Sequence, residues 1–216
     1  MALAGSDPQL ASAGESSTEI QRAALALADP RPGLSWLDVG CGTGTVLRAI
    51  RDHHKPAALI GLDAIDWLDP DLRGDVRLVL GPAETARLAP VDRVLMVEAI
   101  EHLDAPWSVL RAAAAAVRPG GRIVVTTPSV TNLRSRAELA LRGQLTSFRP
   151  GDLPHLTPAL PHVIERTLAE AGLTTAVSHC GRDVIPRSGG RQWPRWAHHR
   201  APVLTSVSVA AVGVRP

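Results

Sequence analysis

The chain has no tyrosine, one phenylalanine and one lysine, Lys55, beside 22 arginines. The arginine-for-lysine bias and the alanine richness carry no functional weight. Two cysteines, Cys41 and Cys180, in 216 residues exclude a disulfide framework and fit a reduced, cytoplasmic setting. No apolar run reaches the roughly 18 residues that a spanning helix needs, so no membrane span is expected. The N-terminus lacks a basic start followed by an apolar stretch, which argues against a secretory signal. There is no internal repeat and no sign of a second domain. What is present is a globular composition, 45% hydrophobic and 20% charged. The length suits one domain whose core needs no disulfides or structural metals.

The formal net charge of +2 hides an asymmetry. Residues 1–100 carry nine Lys/Arg and 14 Asp/Glu, whereas residues 101–216 carry 14 Arg and seven Asp/Glu. Such a split points to different kinds of partner in the two halves.

Residues 1–17 are weakly patterned and read as a frayed leader. A helix is expected from Thr18 to about Ala28, stopped by Asp29-Pro30. Short apolar runs then alternate with helical segments. Strands are expected at 34–40, 57–63, 77–81, 92–97 and 121–127, with helices at 46–51 and 108–117. The strands are continuously apolar, as in a parallel sheet covered on both faces. After Pro128 the character changes. Residues 128–160 hold one helix-like piece, 134–142, and read as a lid or acceptor-binding insertion. An amphipathic helix follows at 161–172, then two strands at 173–180 and 203–214, separated by a basic loop, 181–202.

The most informative segment is LDVGCGTGTVL, residues 37–47. Gly40, Gly42 and Gly44 stand where a first strand turns into a first helix. Glycines there let the backbone approach a ligand, and the helix N-terminus offers free N–H groups. A dinucleotide fingerprint would need glycine at position 45, which is Thr45. The spacing is GxGxG, preceded by the acid Asp38. Asp63, 19 residues after Gly44 at the end of the second strand, is positioned to accept both hydroxyls of a ribose.

This pattern resembles the class I S-adenosylmethionine-dependent methyltransferase family, over about residues 20–216. The resemblance implies S-adenosyl-L-methionine as cofactor. It implies a Rossmann-like, seven-stranded, mostly parallel sheet with helices on both faces and an antiparallel last strand. It places Asp38, Gly40, Gly42, Gly44, Asp63 and Glu98 around the cofactor, and Ala83 of GPAE (81–84) at the adenine. Pro82 stands where many relatives carry aspartate, so adenine recognition is expected to rest on backbone groups near Ala83. The EHL triplet and the RPGG turn, within residues 91–129, resemble the subgroup that methylates quinone precursors, sugars and other small metabolites.

Methyl transfer to a hydroxyl needs alignment and a base for the leaving proton. His102 is the candidate base, with Glu101 or Glu98 orienting it; the alternative is that Glu101 and His102 only cap the local turn. His155 is the third candidate of this set. If 98–102 is a helical turn, Glu98, Glu101 and His102 share a face. With His155 they resemble the metal-dependent 2′-O-methyltransferases of small-RNA 3′ ends. Those enzymes have a denser cluster around the later histidine, so the expectation is a site without metal.

Arg134, Arg136, Arg142 and Arg149 lie in the lid, facing either solvent or an anionic acceptor. The loop 181–202 carries Arg182, Arg187, Arg191, Arg195 and Arg200 with Trp193, Trp196, His198 and His199. It is read first as a flexible crossover, then as a contact for an anionic small molecule, and last as a nucleic-acid surface, since no RNA-binding motif accompanies it. His53 and His54 are expected on the surface away from the site, and Cys41 is not expected to be reactive. The expected function is therefore O-methylation of a small molecule, with an anionic acceptor among the options and nucleic acid not expected as partner. The alternatives are an RNA 2′-O-methyltransferase and a non-catalytic cofactor-binding relative.

Overall fold

A computed structural model describes residues 17–149, 155–183, 185, 188 and 190–216. The expected leader lies outside the described residues except for Ser17, and so do residues 150–154 of the expected lid. Ser17 itself belongs to the first helix: its hydroxyl caps α1 (Thr18–Leu27) by accepting from the Ile20 amide at 3.4 Å. Ile20 and Ala24, one turn apart, bury the inner face of that helix.

Seven strands form one sheet. In chain order they are β1 (Ser35–Val39), β2 (Ala58–Asp63), β3 (Val76–Leu80), β4 (Val91–Val97), β5 (Val117–Pro128), β6 (Thr174–Arg182) and β7 (Ser206–Val214). Their spatial order is β3-β2-β1-β4-β5-β7-β6, and only β7 runs antiparallel to its neighbours. The order reverses between β1 and β4, which opens a crevice at their carboxyl ends. The expected fold class is the observed one.

Both faces of the sheet are covered. Helix α2 (Thr45–His54) packs Leu47 and Ile50 against Trp36, Leu95 and Val97, on the face that α1 also covers. Helices α3 (Pro106–Ala115) and α5 (Pro161–Glu170) pack Val109, Leu110, Ile164 and Leu168 against Leu37, Val94, Met96 and Val125 on the other. Neighbours such as Trp36 and Leu37 therefore serve opposite cores, as strand alternation requires. Helix α4 (Leu133–Arg142) begins at Asn132, whose side chain accepts from the Ser135 amide at 2.7 Å. Among the described residues, no helix is long and apolar enough to cross a membrane.

Some boundaries differ from expectation. The alanine-rich helix ends at Ala115 rather than 117, because Val117 already pairs with Val91 in the sheet. The RPGG turn is absorbed into β5: Gly120 takes φ +73°, and its amide donates to the Arg215 carbonyl at 2.9 Å. The last strand starts at Ser206, not 203. Residues Pro202–Thr205 form one helical turn, α7, in which the hydroxyls of Thr205 and Ser206 donate back to the carbonyls of Ala201 and Pro202. Inside the basic loop, Arg195–Arg200 is a short helix, α6.

Candidate active site

A cavity of about 580 Å³ opens at the carboxyl ends of β1, β2 and β4. Its floor is the turn between β1 and α2. Gly40, Gly42 and Gly44 all take left-handed backbone angles there (φ +76°, +51° and +85°). Closeness also demands glycine. A Cβ on Gly40 would stand 2.7 Å from the Ala99 Cβ, and one on Gly44 would stand 2.5 Å from a methyl of Leu72. Gly40 and Gly42 line the cavity; Gly44 lies behind them and opens α2.

Asp63 ends β2 on the same rim. One carboxylate oxygen accepts from the Gly42 amide at 2.8 Å, and the other accepts from the Ile65 amide at 3.1 Å. Asp38 does not line the cavity. It is buried behind the turn, and burial, then the charge of Asp63, holds its carboxyl well above the usual range. Gly81, Pro82 and Ala83 line the wall beyond β3, next to Ile65 and Trp67.

The opposite wall is the segment after β4. Glu98 is a non-glycine residue at φ +52°, a strained geometry held by its amide donating to the Thr126 hydroxyl at 3.0 Å. Its carboxylate lies 2.7 Å from the Ser208 hydroxyl, and burial pushes it upward. Residues Ile100–His102 form a single tight turn. The Glu101 side chain is fully buried and neither carboxylate oxygen has a hydrogen-bond partner. Burial, then the charge of Glu98, pushes its carboxyl well above the usual range.

His155 reaches this wall from the lid. The Glu101 carbonyl accepts from the amides of Leu156 at 2.7 Å and Thr157 at 3.1 Å, which latches the two segments together. The rings of His102 and His155 lie 4.7 Å apart, and His155 also packs on Phe148 at 5.3 Å. Glu101, His102 and His155 each present one donor atom within 4.8 Å of the others; Glu98 is not in that group. These are the residues that could hold a metal.

Three lining residues lie outside the motifs: Ser17, Ile65 and Trp67. Trp67, one of five tryptophans and only four residues past Asp63, is the one with a signal in the sequence. The lid arginines do not converge on the cavity. Arg134 pairs with Glu138 and Asp183, both at 3.8 Å; Arg149 pairs with Glu138; Arg136 donates to the Thr131 carbonyl. In the basic loop, Arg182 donates to the Trp193 carbonyl and His198 meets the Thr205 hydroxyl at 3.1 Å; Arg187 lies outside the described residues.

The family described as "Methyltransferase domain" matches residues 13–177, which spans the glycine turn, both walls and most of the sheet. The chain belongs to the class I S-adenosylmethionine-dependent methyltransferases. This methyltransferase is 26% identical over 195 residues to the ubiquinone biosynthesis O-methyltransferase of Xylella fastidiosa (strain 9a5c), covering 87% of this chain and 76% of that protein. It is 31% identical over 207 residues to the enzyme of the same name from Methylobacterium nodulans, covering 87% and 75%. The YcgJ protein of Bacillus subtilis shares the fold with a TM-score of 0.66 at 14% identity, covering 91% of this chain and 97% of that one. The methyltransferase's cofactor is S-adenosylmethionine, and the cavity suits it: the glycine turn leaves room that a Cβ would fill, and the acids Asp63 and Glu98 are among the lining.

Proposed function

We propose that this methyltransferase moves a methyl group from S-adenosylmethionine to a hydroxyl of an uncharged small molecule. The observation that carries the proposal is the division of one cavity into two walls. The glycine turn and Asp63 form one, and Glu101, His102 and His155 form the other.

On the first wall, the Gly40 and Gly42 backbone lies against the cofactor, and Asp63 accepts from the ribose hydroxyls. Gly44 starts the helix whose N–H groups face that ligand. The backbone near Ala83 and the faces of Ile65 and Trp67 enclose the adenine. Glu98 accepts from the ammonium group, and Asp38 supports the glycine turn from behind. The cofactor supplies an electrophilic methyl group on a positively charged sulfur.

The second wall handles the acceptor. An imidazole of His102 or His155 takes the hydroxyl proton, and the Glu101 carbonyl, by accepting from the Leu156 and Thr157 amides, keeps the two rings together. The Leu156–Glu101 latch holds the lid segment over the reaction and keeps water out. Among the described residues, the lining holds five carboxylates (Asp63, Glu84, Glu98, Glu101 and Asp104) and no lysine or arginine. That lining favours an uncharged acceptor over an anionic metabolite or RNA. The internal ion pairs of Arg134 and Arg149 support the same choice. The names of the relatives support a hydroxylated ring of the quinone-precursor kind as the acceptor, and the buried, unpaired cysteines support a cytoplasmic setting.

The test is methyl-labelled S-adenosylmethionine with a panel of catechols, phenols, sugars and a short RNA. Label is expected on an uncharged catechol or phenol. Label only on RNA or only on a phosphorylated metabolite would overturn the proposal.

A further inference from the structure

We infer that Ser208, on the antiparallel strand β7, is a positioning residue that fixes Glu98 for the ammonium end of the cofactor. The inference rests on the proposed role of Glu98 toward that group and extends it to a strand that does not line the cavity.

The first ground is the chemistry of β7. Side chains alternate along a strand, so Ser206, Ser208, Ala210 and Val212 share one face. Ala210 and Val212 belong to the apolar core that α1 also covers. The row turns polar where Ser208 pairs with Pro128, the last residue of β5, at the cavity end of that strand. Ser206 and Ser208 are both fully buried, and a buried hydroxyl is costly unless it is bonded. Ser206 donates to the Pro202 carbonyl, within its own helical turn. Ser208 reaches a different part of the chain: its Oγ lies 2.7 Å from Oε1 of Glu98 and 2.8 Å from the Thr127 carbonyl.

The second ground is the count of protons. A hydroxyl has one, and the Thr127 carbonyl only accepts. When Glu98 is an anion, two acceptors compete for that proton, and the charged one forms the stronger bond. Ser208 therefore donates to Glu98 in the ionised form that meets an ammonium group. One such bond leaves most of the carboxylate's lone pairs for a ligand. Burial pushes the Glu98 carboxyl up, and the hydroxyls of Ser208 and then Thr126 pull it back. The third ground is the strained backbone of Glu98, at φ +52°. Thr126 of β5 holds its amide and Ser208 of β7 holds its carboxylate, so two paired strands clamp one residue at both ends. Without Ser208 the buried carboxylate either takes up a proton or turns away. Both outcomes weaken the grip on a cationic group, and neither touches the adenosine part of the cavity.

The test is calorimetric titration of the full chain with two ligands. One is S-adenosylmethionine. The other is methylthioadenosine, which keeps the adenosine and the sulfur but lacks the ammonium and carboxylate. Ser208→Ala should weaken S-adenosylmethionine binding by about tenfold or more, the usual effect of losing a hydrogen bond to a charged group. Methylthioadenosine binding should stay within about twofold, which also shows that the variant is folded at the site. In a Glu98→Gln background the same serine change should alter S-adenosylmethionine binding by less than about twofold, because the two residues act as a pair. Unchanged S-adenosylmethionine binding in Ser208→Ala, equal weakening of both ligands, or additive losses in the double variant would overturn the role of Ser208. A wild-type chain that binds neither ligand would instead overturn the reading of this cavity as the cofactor site.

Discussion

The backbone amide of Gly42 donates to the carboxylate of Asp63 at 2.8 Å. This bond joins the turn after β1 to the end of β2 and sets the shape of that side of the cavity. It makes the turn and the acid one unit, so damage to either should be felt by both.

The glycines should therefore be intolerant for steric reasons that do not involve the ligand. Gly44→Ala places a Cβ 2.5 Å from a Leu72 methyl, at a backbone angle that side chains rarely adopt. We expect a loss of roughly 2–3 kcal/mol, read as a fall in melting temperature of roughly 5–10 °C. Gly33→Ala is the control. Gly33 also has a positive φ, but a Cβ added there would meet nothing within 4 Å, so only the backbone cost of about 1 kcal/mol should appear. Equal losses at the two positions would contradict the close-approach explanation.

The buried acids predict an unusual pH dependence for the cofactor-free protein. Burial, reinforced by Glu98, raises the Glu101 carboxyl well above its usual range, and burial with Asp63 does the same to Asp38. A raised carboxyl holds its proton in the folded chain after the unfolded chain has lost it. Stability is then greatest below the ordinary carboxylate range and falls as pH rises from there through the folded value. Glu101→Gln should flatten that fall and raise the melting temperature at pH near 8 by a few degrees, at roughly 2–4 °C per kcal/mol. An unchanged slope in this variant would mean that Glu101 is already compensated.

His102→Ala should act on the chemistry and not on the cofactor. We expect kcat to drop by about 10²–10⁴-fold, the usual effect of removing a positioned base. The affinity for S-adenosylmethionine should be unchanged. A matching loss of cofactor affinity would move His102 to the other wall.

Both thiols should be silent in the native protein. Burial and the charges of Asp38 and Asp63 push the Cys41 thiol far up, and burial and Glu98 push the Cys180 thiol up to about 11. Iodoacetamide at pH 8 should label neither until denaturant is added. Rapid native labelling of Cys41 would show that the glycine turn opens.

Much of the candidate site's geometry was legible in the sequence because its key parts are backbone requirements. Gly40, Gly42, Gly44 and Asp63 act through turn geometry and one carboxylate, which spacing encodes directly. Asp38 was legible as an acid but not as one buried behind the turn, since that depends on the depth of β1 in the sheet. The strand ends were less legible. Val117 leaves an alanine-rich helix pattern to pair with Val91, and Pro202 starts a helical turn inside an apolar run. The partners of the lid arginines were not legible for a tertiary reason: Glu138 and Asp183 pair with Arg134 from its own helix and from just past the end of β6. The His155 contact with His102 depends on amides of residues 156 and 157, which no side-chain pattern announces.

The most direct test is calorimetric titration of S-adenosylmethionine into the wild-type chain and Asp63→Ala. One site with micromolar affinity is predicted in the wild type. A loss of at least about tenfold is predicted in Asp63→Ala, equivalent to about 1.4 kcal/mol or more. A folded wild-type protein that takes up no S-adenosylmethionine, or an Asp63→Ala variant that binds it equally well, would contradict the assignment of this cavity as the cofactor site.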